Sequence, residues 1–191
     1  MMRELADCTA SNPRILFVGI NPGLRSGETG HHFAGKGNPF WRLLHAAGLT
    51  PILLRPEEDE RLVEFRLSLT NLCPRPTRSA AELGRAELAA GRLMLAAKID
   101  LLRPRVVAFV GLTIYQDYFA HKKSTGAGAK PERIHGARVF VVPNPSGLNQ
   151  SFPGFAQKLV WFTRLREFVE EVEAGERSGP PPLAAPTTAD A

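Results

Sequence analysis

The chain has 191 residues, 43% of them apolar and 23% charged, with 24 Lys plus Arg against 19 Asp plus Glu and a formal charge of +5. This predicts one globular domain with a sizeable core, and the mild basic excess permits a polyanionic partner. Two cysteines, Cys8 and Cys73, are too few for a disulfide framework, a four-cysteine zinc site or a four-cysteine iron–sulfur cluster, so an intracellular protein without metal or cofactor is expected. The opening MMRELADCTASNP carries charges where a secretory signal needs an apolar run, and no stretch approaches the roughly 18 apolar residues of a membrane helix. The expected location is the cytoplasm, with the nucleoid as the bacterial equivalent.

In chain order, RILFVGI (14–20) reads as a buried strand, Asn38 to Gly48 and Glu57 to Arg66 as helices, and LSLTNL (67–72) as a second strand. A long helix is predicted over Ala80 to Leu102, opened by a Ser79/Glu82 capping box and stopped by Pro104. Strand RVVAFVG (105–111), helix Thr113 to His121, strand RVFVVP (138–143) and helix Gly154 to Ala174 follow. The run GERSGPPPLAAPTTADA (175–191), with four prolines, is expected to be a disordered tail outside a single 1–174 domain. Strands alternating with helices imply an α/β, three-layer fold: a central, mainly parallel, four- to five-stranded sheet between helices, with ligands bound beyond the carboxyl ends of the strands.

The loops at those ends carry the chemistry. After the first strand, a turn around Pro22 and Gly23 puts Asn21 at the sheet edge, where its amide could accept from a water and donate to a ligand, or merely cap its own backbone. The loop is neither GxxxxGK[ST] nor GxGxxG, which disfavours nucleotide binding of those kinds. His31 and His32 are adjacent and point to different sides, with no Cys or carboxylate close in sequence to complete a metal site. Phe33, among small and polar residues, is either a stacking platform for a planar ligand or a plug of the core; Phe40 and Trp41 read as core. After the last strand, Asn144-Pro145-Ser146-Gly147-Leu148 nearly duplicates the first loop, and if first and last strands are neighbours, Asn21 and Asn144 face one cavity. Two uncharged amides suit the edge of a nucleobase. Leu148 is either a wedge that enters a base stack or a side chain folded over the next helix.

Together, GINPGL, GHHFAGKGNPFW, LTNLCPRPT and VVPNPSGL, in order between about Arg14 and Val169, resemble the mismatch-specific uracil-DNA and thymine-DNA glycosylase family. The resemblance implies a uracil-DNA glycosylase-like fold and metal-free cleavage of the N-glycosidic bond of uracil or thymine mispaired with guanine, and of some damaged pyrimidines. It implies that Asn21 positions the attacking water, Phe33 stacks on the flipped base, Asn144 faces the base and Ser26 lies near pyrimidine C5. Ile20, Gly23 and Asn71 complete the implied pocket, and Ser146, Gly147, Leu148 and Gln150 the implied wedge and mismatch contacts. Asn71 stands where some bacterial relatives carry Lys, and Gln150 where an Arg completes the wedge. His31, His32 and SFPGFAQK look like the thymine-directed branch, whereas NPSGL looks like the bacterial mismatch branch.

The expected partner is double-stranded DNA holding a mispaired or damaged pyrimidine, bound by a monomer that opens base excision repair by base flipping. Arg25, Lys36 and Arg75, with Arg78, Lys122 and Lys123, are candidate phosphate contacts. Neither loop offers a general base, since Glu28 matches no family role, so turnover is expected to be slow. The alternative is a non-catalytic module that binds lesions or flipped bases.

Overall fold

In the computed structural model, which describes residues 4–120, 126–146 and 151–177, the four apolar runs form strands β1 (Ile15–Gly19), β2 (Leu67–Asn71), β3 (Val106–Val110) and β5 (Ala137–Val142). Every residue of β1, β2 and β3 is buried, as expected of parallel strands covered on both faces. The sheet order is β2-β1-β3-β5-β4, with β1, β2, β3 and β5 parallel. Residues alternate between two cores. Phe17, Val106 and Phe140 meet helix α2 (Phe40–Ala46), the 3-10 helix Pro56–Phe65 and helix α5 (Gly154–Arg177) on one side. Leu16, Val18, Val107, Phe109 and Val139 meet helices α3 (Arg85–Leu102) and α4 (Leu112–Phe119) on the other. The three-layer α/β architecture is therefore present.

Three details differ from the sequence expectation. First, β1 and β5 are not neighbours, because β3 lies between them. Second, the helix expected over Ala80 to Leu102 is broken: the Ser79/Glu82 box closes on a single 3-10 turn, Ala80–Glu82, Leu83 is extended, and α3 starts afresh after Gly84. Third, an additional strand, β4 (Gly128–Ile134), runs antiparallel to β5 on the sheet edge. Its alternating burial is interrupted around Pro131, where the register shifts, and an edge is where a proline is tolerated. The hairpin closes on His135 and Gly136, at φ 47° and 88°, as a two-residue turn with both central residues left-handed requires. A short helix, α1 (Leu24–Thr29), follows β1 and was too brief to show apolar periodicity.

The last helix runs three residues past Ala174, so Gly175 to Arg177, expected to open the tail, are helical. Three ion pairs account for this extension. Glu173 accepts from Arg14 at 2.9 Å and pairs with Arg105 at 3.1 Å, and Glu176 pairs with Arg105 at 3.1 Å, so the end of α5 is held to the starts of β1 and β3. Burial works to raise the Glu173 carboxyl, but the Arg14 hydrogen bond and the charges of Arg14, Arg105 and Arg66 outweigh it and hold it below its ordinary value. Residues 178–191 lie outside the described residues, and no described helix is long and apolar enough to cross a membrane.

Helix α3 lies against the end of β2 through Gly91. A Cβ there would overlap the Leu72 carbonyl oxygen and lie 3.2 Å from Leu72 Cγ. In an exposed helix, Gly→Ala stabilises by about 1 kcal/mol; here overpacking against backbone should reverse the sign. Gly91→Ala is expected to destabilise by about 1–3 kcal/mol, lowering Tm by roughly 2–4 °C per kcal/mol in a thermal melt. A rise in Tm would show that α3 can stand off from β2.

Candidate active site

The strand order reverses between β1 and β3, and the loops that leave their carboxyl ends diverge, which opens a cleft of about 580 Å³. Gly19, Asn71, Val110 and Asn144 line it at the strand ends, with Ile20, Asn21, Gly23, Ser26 and Phe33 from the loops that follow β1. Residues 77–80, joined to that first loop by a bridge between Gly23 and Thr77, line it too, as do Ser146 and Phe152. Asn21 and Asn144 thus line one cavity although their strands are not adjacent. Gly111, at φ 126°, lies between them, and a Cβ there would come within 3.5 Å of Asn144 Cβ.

Asn21 is oriented by its surroundings. Its Nδ2 donates to Thr77 Oγ1 at 2.6 Å, Pro22 O at 3.0 Å and Arg75 O at 3.1 Å. The Thr77 hydroxyl gives its proton to Ser79 O at 2.8 Å, so toward Asn21 it can only accept. Three acceptors around Nδ2 fix the amide, and Oδ1 has no donor among the described residues. Of the donor and acceptor functions expected of Asn21, the donor is thus taken up by the protein. Asn144 shows the self-capping alternative, since its Oδ1 accepts from Ser146 N at 2.9 Å.

Asn71 is 8% exposed, and its Nδ2 has no hydrogen-bond partner. The β1 backbone comes so close that a Cβ on Gly19 would lie 2.5 Å from Asn71 Oδ1. A buried amide donor left unpaired is costly unless something in the cleft accepts from it. Ser26, also buried, accepts from Ala34 N at 3.2 Å. Phe33, at φ 52°, stacks one face of its ring on Phe40, with centroids 3.8 Å apart, and lines the cleft.

The loop carrying Phe33 is braced by groups distant in sequence. Asp59, 1% exposed, accepts from His32 N at 2.8 Å and pairs with His31 Nδ1 at 3.1 Å. The His32 ring bonds Ala6 O at 2.9 Å, and Trp41 Nε1 donates to His32 O at 3.3 Å. Burial is the main influence on the His32 imidazole and lowers it below its ordinary value. Cys8, His32 and Asp59 offer ligand atoms within 4.8 Å of one another, a cluster that local spacing around the histidine pair did not reveal. All three already have protein partners, and metal ligation would require the Cys8 thiolate. Burial, reinforced by Asp59, pushes that thiol up to about 12.

Among the expected phosphate contacts, Arg75 forms a bidentate pair with Glu87, at 2.9 Å on both sides, and also bonds Glu82 O. Arg25 faces Glu28 at 3.5 Å on the exposed side of α1. Lys36 and Arg78 are exposed and enter no ion pair among the described residues. Lys158, which the sequence reading passed over, is buried on α5 with Nζ donating to Ser146 O at 3.1 Å. Gly147, Leu148 and Gln150, and Lys122 and Lys123, lie outside the described residues.

The thiol environment gives a direct check. At pH 8 a Cys8 thiol near 12 is ionised to about 10⁻⁴, against about 10⁻¹ for one near 9, so native Cys8 should alkylate about 10³-fold more slowly than in denatured chain. Mass-spectrometric timing of iodoacetamide labelling measures this, and comparable native and denatured rates would contradict the burial of the group.

The fold is shared with a protein from Methanosarcina acetivorans assigned as a uracil DNA glycosylase, whose solution NMR structure superposes with a TM-score of 0.60 at 20% identity, over 90% of this chain and 98% of that one. The sequence matches the family model of the uracil DNA glycosylase superfamily over residues 6–166. That span holds the whole described cleft, and it implies action on uracil in DNA. By that match, the chain belongs to the uracil DNA glycosylase superfamily.

Proposed function

We propose that the protein is a monofunctional mismatch-directed glycosylase, hydrolysing the N-glycosidic bond of uracil, and of thymine or damaged pyrimidines, opposite guanine in duplex DNA. The observation that carries this reading is the clamped amide of Asn21, which leaves an uncharged acceptor at the cleft wall where a water can be held for attack on C1′. Breaking the bond sends the N1–C1′ electron pair to the base, and water adds to C1′ as its proton leaves. The protein can help by donating to the anionic base through the backbone amides that open α1, which have no carbonyl partner within their own helix. Phe33 supplies a flat apolar surface for the ring of the extruded base, and Ser26 sits beside it at the implied C5 position.

Among the described residues no Asp or Glu lines the cleft. Asp59 is close behind Phe33 but is occupied by both histidines. General-base assistance, worth about 10²–10⁴, is thus lacking, and good leaving groups should be favoured. Lys36 and Arg78 near the cleft can take up backbone phosphates without reading sequence.

Asn21→Ala should lower the single-turnover rate of base release from a G:U duplex by about 10²-fold or more, because water is no longer positioned, while duplex affinity stays within about threefold because no phosphate contact is lost. A panel of duplexes differing in one base, scored for abasic sites, tests both the activity and the preference for guanine opposite. No base release by the wild-type protein on any of them would leave a binding module instead. The wedge assignment has its own check. Leu148→Ala should slow cleavage of duplex substrates and spare single-stranded uracil DNA, where no stack has to be opened. If both slow together with a Tm loss equivalent to about 2–5 kcal/mol, Leu148 is a core residue.

A further inference from the structure

Asp59 is a buried carboxylate that the chemistry above does not use, and it lies on a 3-10 helix 26 residues beyond Phe33 in sequence. Burying an acid without a Lys or Arg partner is a poor way to stabilise a fold; an apolar side chain of the same volume generally does as well or better. What Asp59 does hold is specific. Its two oxygens take the main-chain N–H of His32 and Nδ1 of His31, the two residues that precede Phe33. Phe33 itself has φ 52°, a conformation bulky residues rarely adopt and one that persists only where neighbouring contacts over-determine it. Asp59 supplies two of those contacts; Trp41 on His32 O and Ser26 on Ala34 N supply others.

We propose that Asp59 is a positioning residue for the base platform: it fixes the backbone ahead of Phe33 so that the ring, backed by Phe40, lies parallel to an incoming pyrimidine. This rests on the reading of Phe33 as the surface that receives the flipped base. Asp59 touches neither base nor sugar. Its effect on catalysis is transmitted through the placement of one ring.

The test is a double-mutant cycle between Asp59→Ala and Phe33→Ala, read as single-turnover rate and duplex affinity on a G:U substrate, with Tm measured for each variant. Asp59→Ala alone should lower the maximal rate about tenfold or more, as expected of a misplaced contact, with duplex affinity within about threefold because no phosphate contact changes. Added to Phe33→Ala, it should lower the rate no further. Asp59→Asn, whose amide can accept from His32 N and donate to a His31 tautomer protonated on Nε2, should restore the rate to within about threefold of wild type. If Phe33→Ala cleaves like wild type, the platform reading itself fails. If Phe33→Ala is slow but Asp59→Ala is not, or if Asp59→Ala slows both backgrounds by the same factor, Asp59 is not the positioning group. Should Asp59→Ala melt below the assay temperature, Asp59→Leu, which fills the volume without an acceptor, enters the same cycle, and failure of both to fold overturns the assignment in favour of a purely structural role.

Discussion

Burial of the parallel sheet on both faces decides where polar chemistry can occur in this protein. From Ile15 to Gly19 the chain is apolar and fully covered, with β2 on one side and β3 on the other, so no side chain along β1 can meet solvent or ligand. Asn21, two residues past the end of that strand, is the first side-chain amide released from this constraint. β2 behaves similarly: its last residue, Asn71, carries an amide to the same edge. The cleft exists because strands on either side of the β1/β3 boundary connect in opposite directions, which leaves a gap that helices cannot fill.

Apart from Arg25 and Arg78, the described cleft lining is uncharged, and that shapes what it can do. Carboxamides, hydroxyls and the rings of Phe33 and Phe152 can orient water and recognise the rim of a base, but none withdraws a proton at neutral pH. His32, the imidazole nearest the cleft, is held on a backbone carbonyl and is kept neutral by burial. Positive charge sits at the exposed margin, on Arg25, Lys36 and Arg78. Even there, part of it is cancelled locally, since Arg75 is committed to Glu87 and Arg25 to Glu28. The formal excess of +5 is therefore a weak guide to which side chains meet phosphate.

Legibility in the sequence followed the range of the interaction concerned. The four central strands, α2, α4 and α5 could be read because their apolar runs and turn residues are local signals, and the two Asn-Pro loops could be placed because strands of a parallel sheet share an orientation. The edge strand β4 could not, since Pro131, Lys130 and Glu132 break its alternation. The Ser79/Glu82 box was visible, but its satisfaction within one turn, followed by extended Leu83, was not. Neighbour relations between strands are tertiary, which is why the adjacency of β1 and β5 could be entertained from sequence although β3 separates them. The same holds for the site. Asn21, Asn71 and Phe33 were named from loops and resemblance, whereas the partners that set their orientation, Thr77 and Asp59, come from segments 56 and 26 residues away, and nothing in local spacing marks them.

Those distant partners also explain how a loop-built site can be accurate. Loops are ordinarily the least constrained parts of a fold, yet Thr77 N donates to Pro22 O at 3.1 Å while its hydroxyl receives Asn21, so main chain and side chain of one residue fix the same turn. His32 is likewise held through its N–H, its carbonyl and its ring by three separate segments. In each case hydrogen bonds from distant segments, the Asp59 carboxylate among them, hold a loop whose Asn21 amide or Phe33 ring lines the cleft. Where no general base is present, positioning is the main contribution the protein can make to the rate. The density of hydrogen bonds behind Asn21 and Phe33, rather than any strongly activated residue, is therefore the feature of this structure most directly tied to its chemistry.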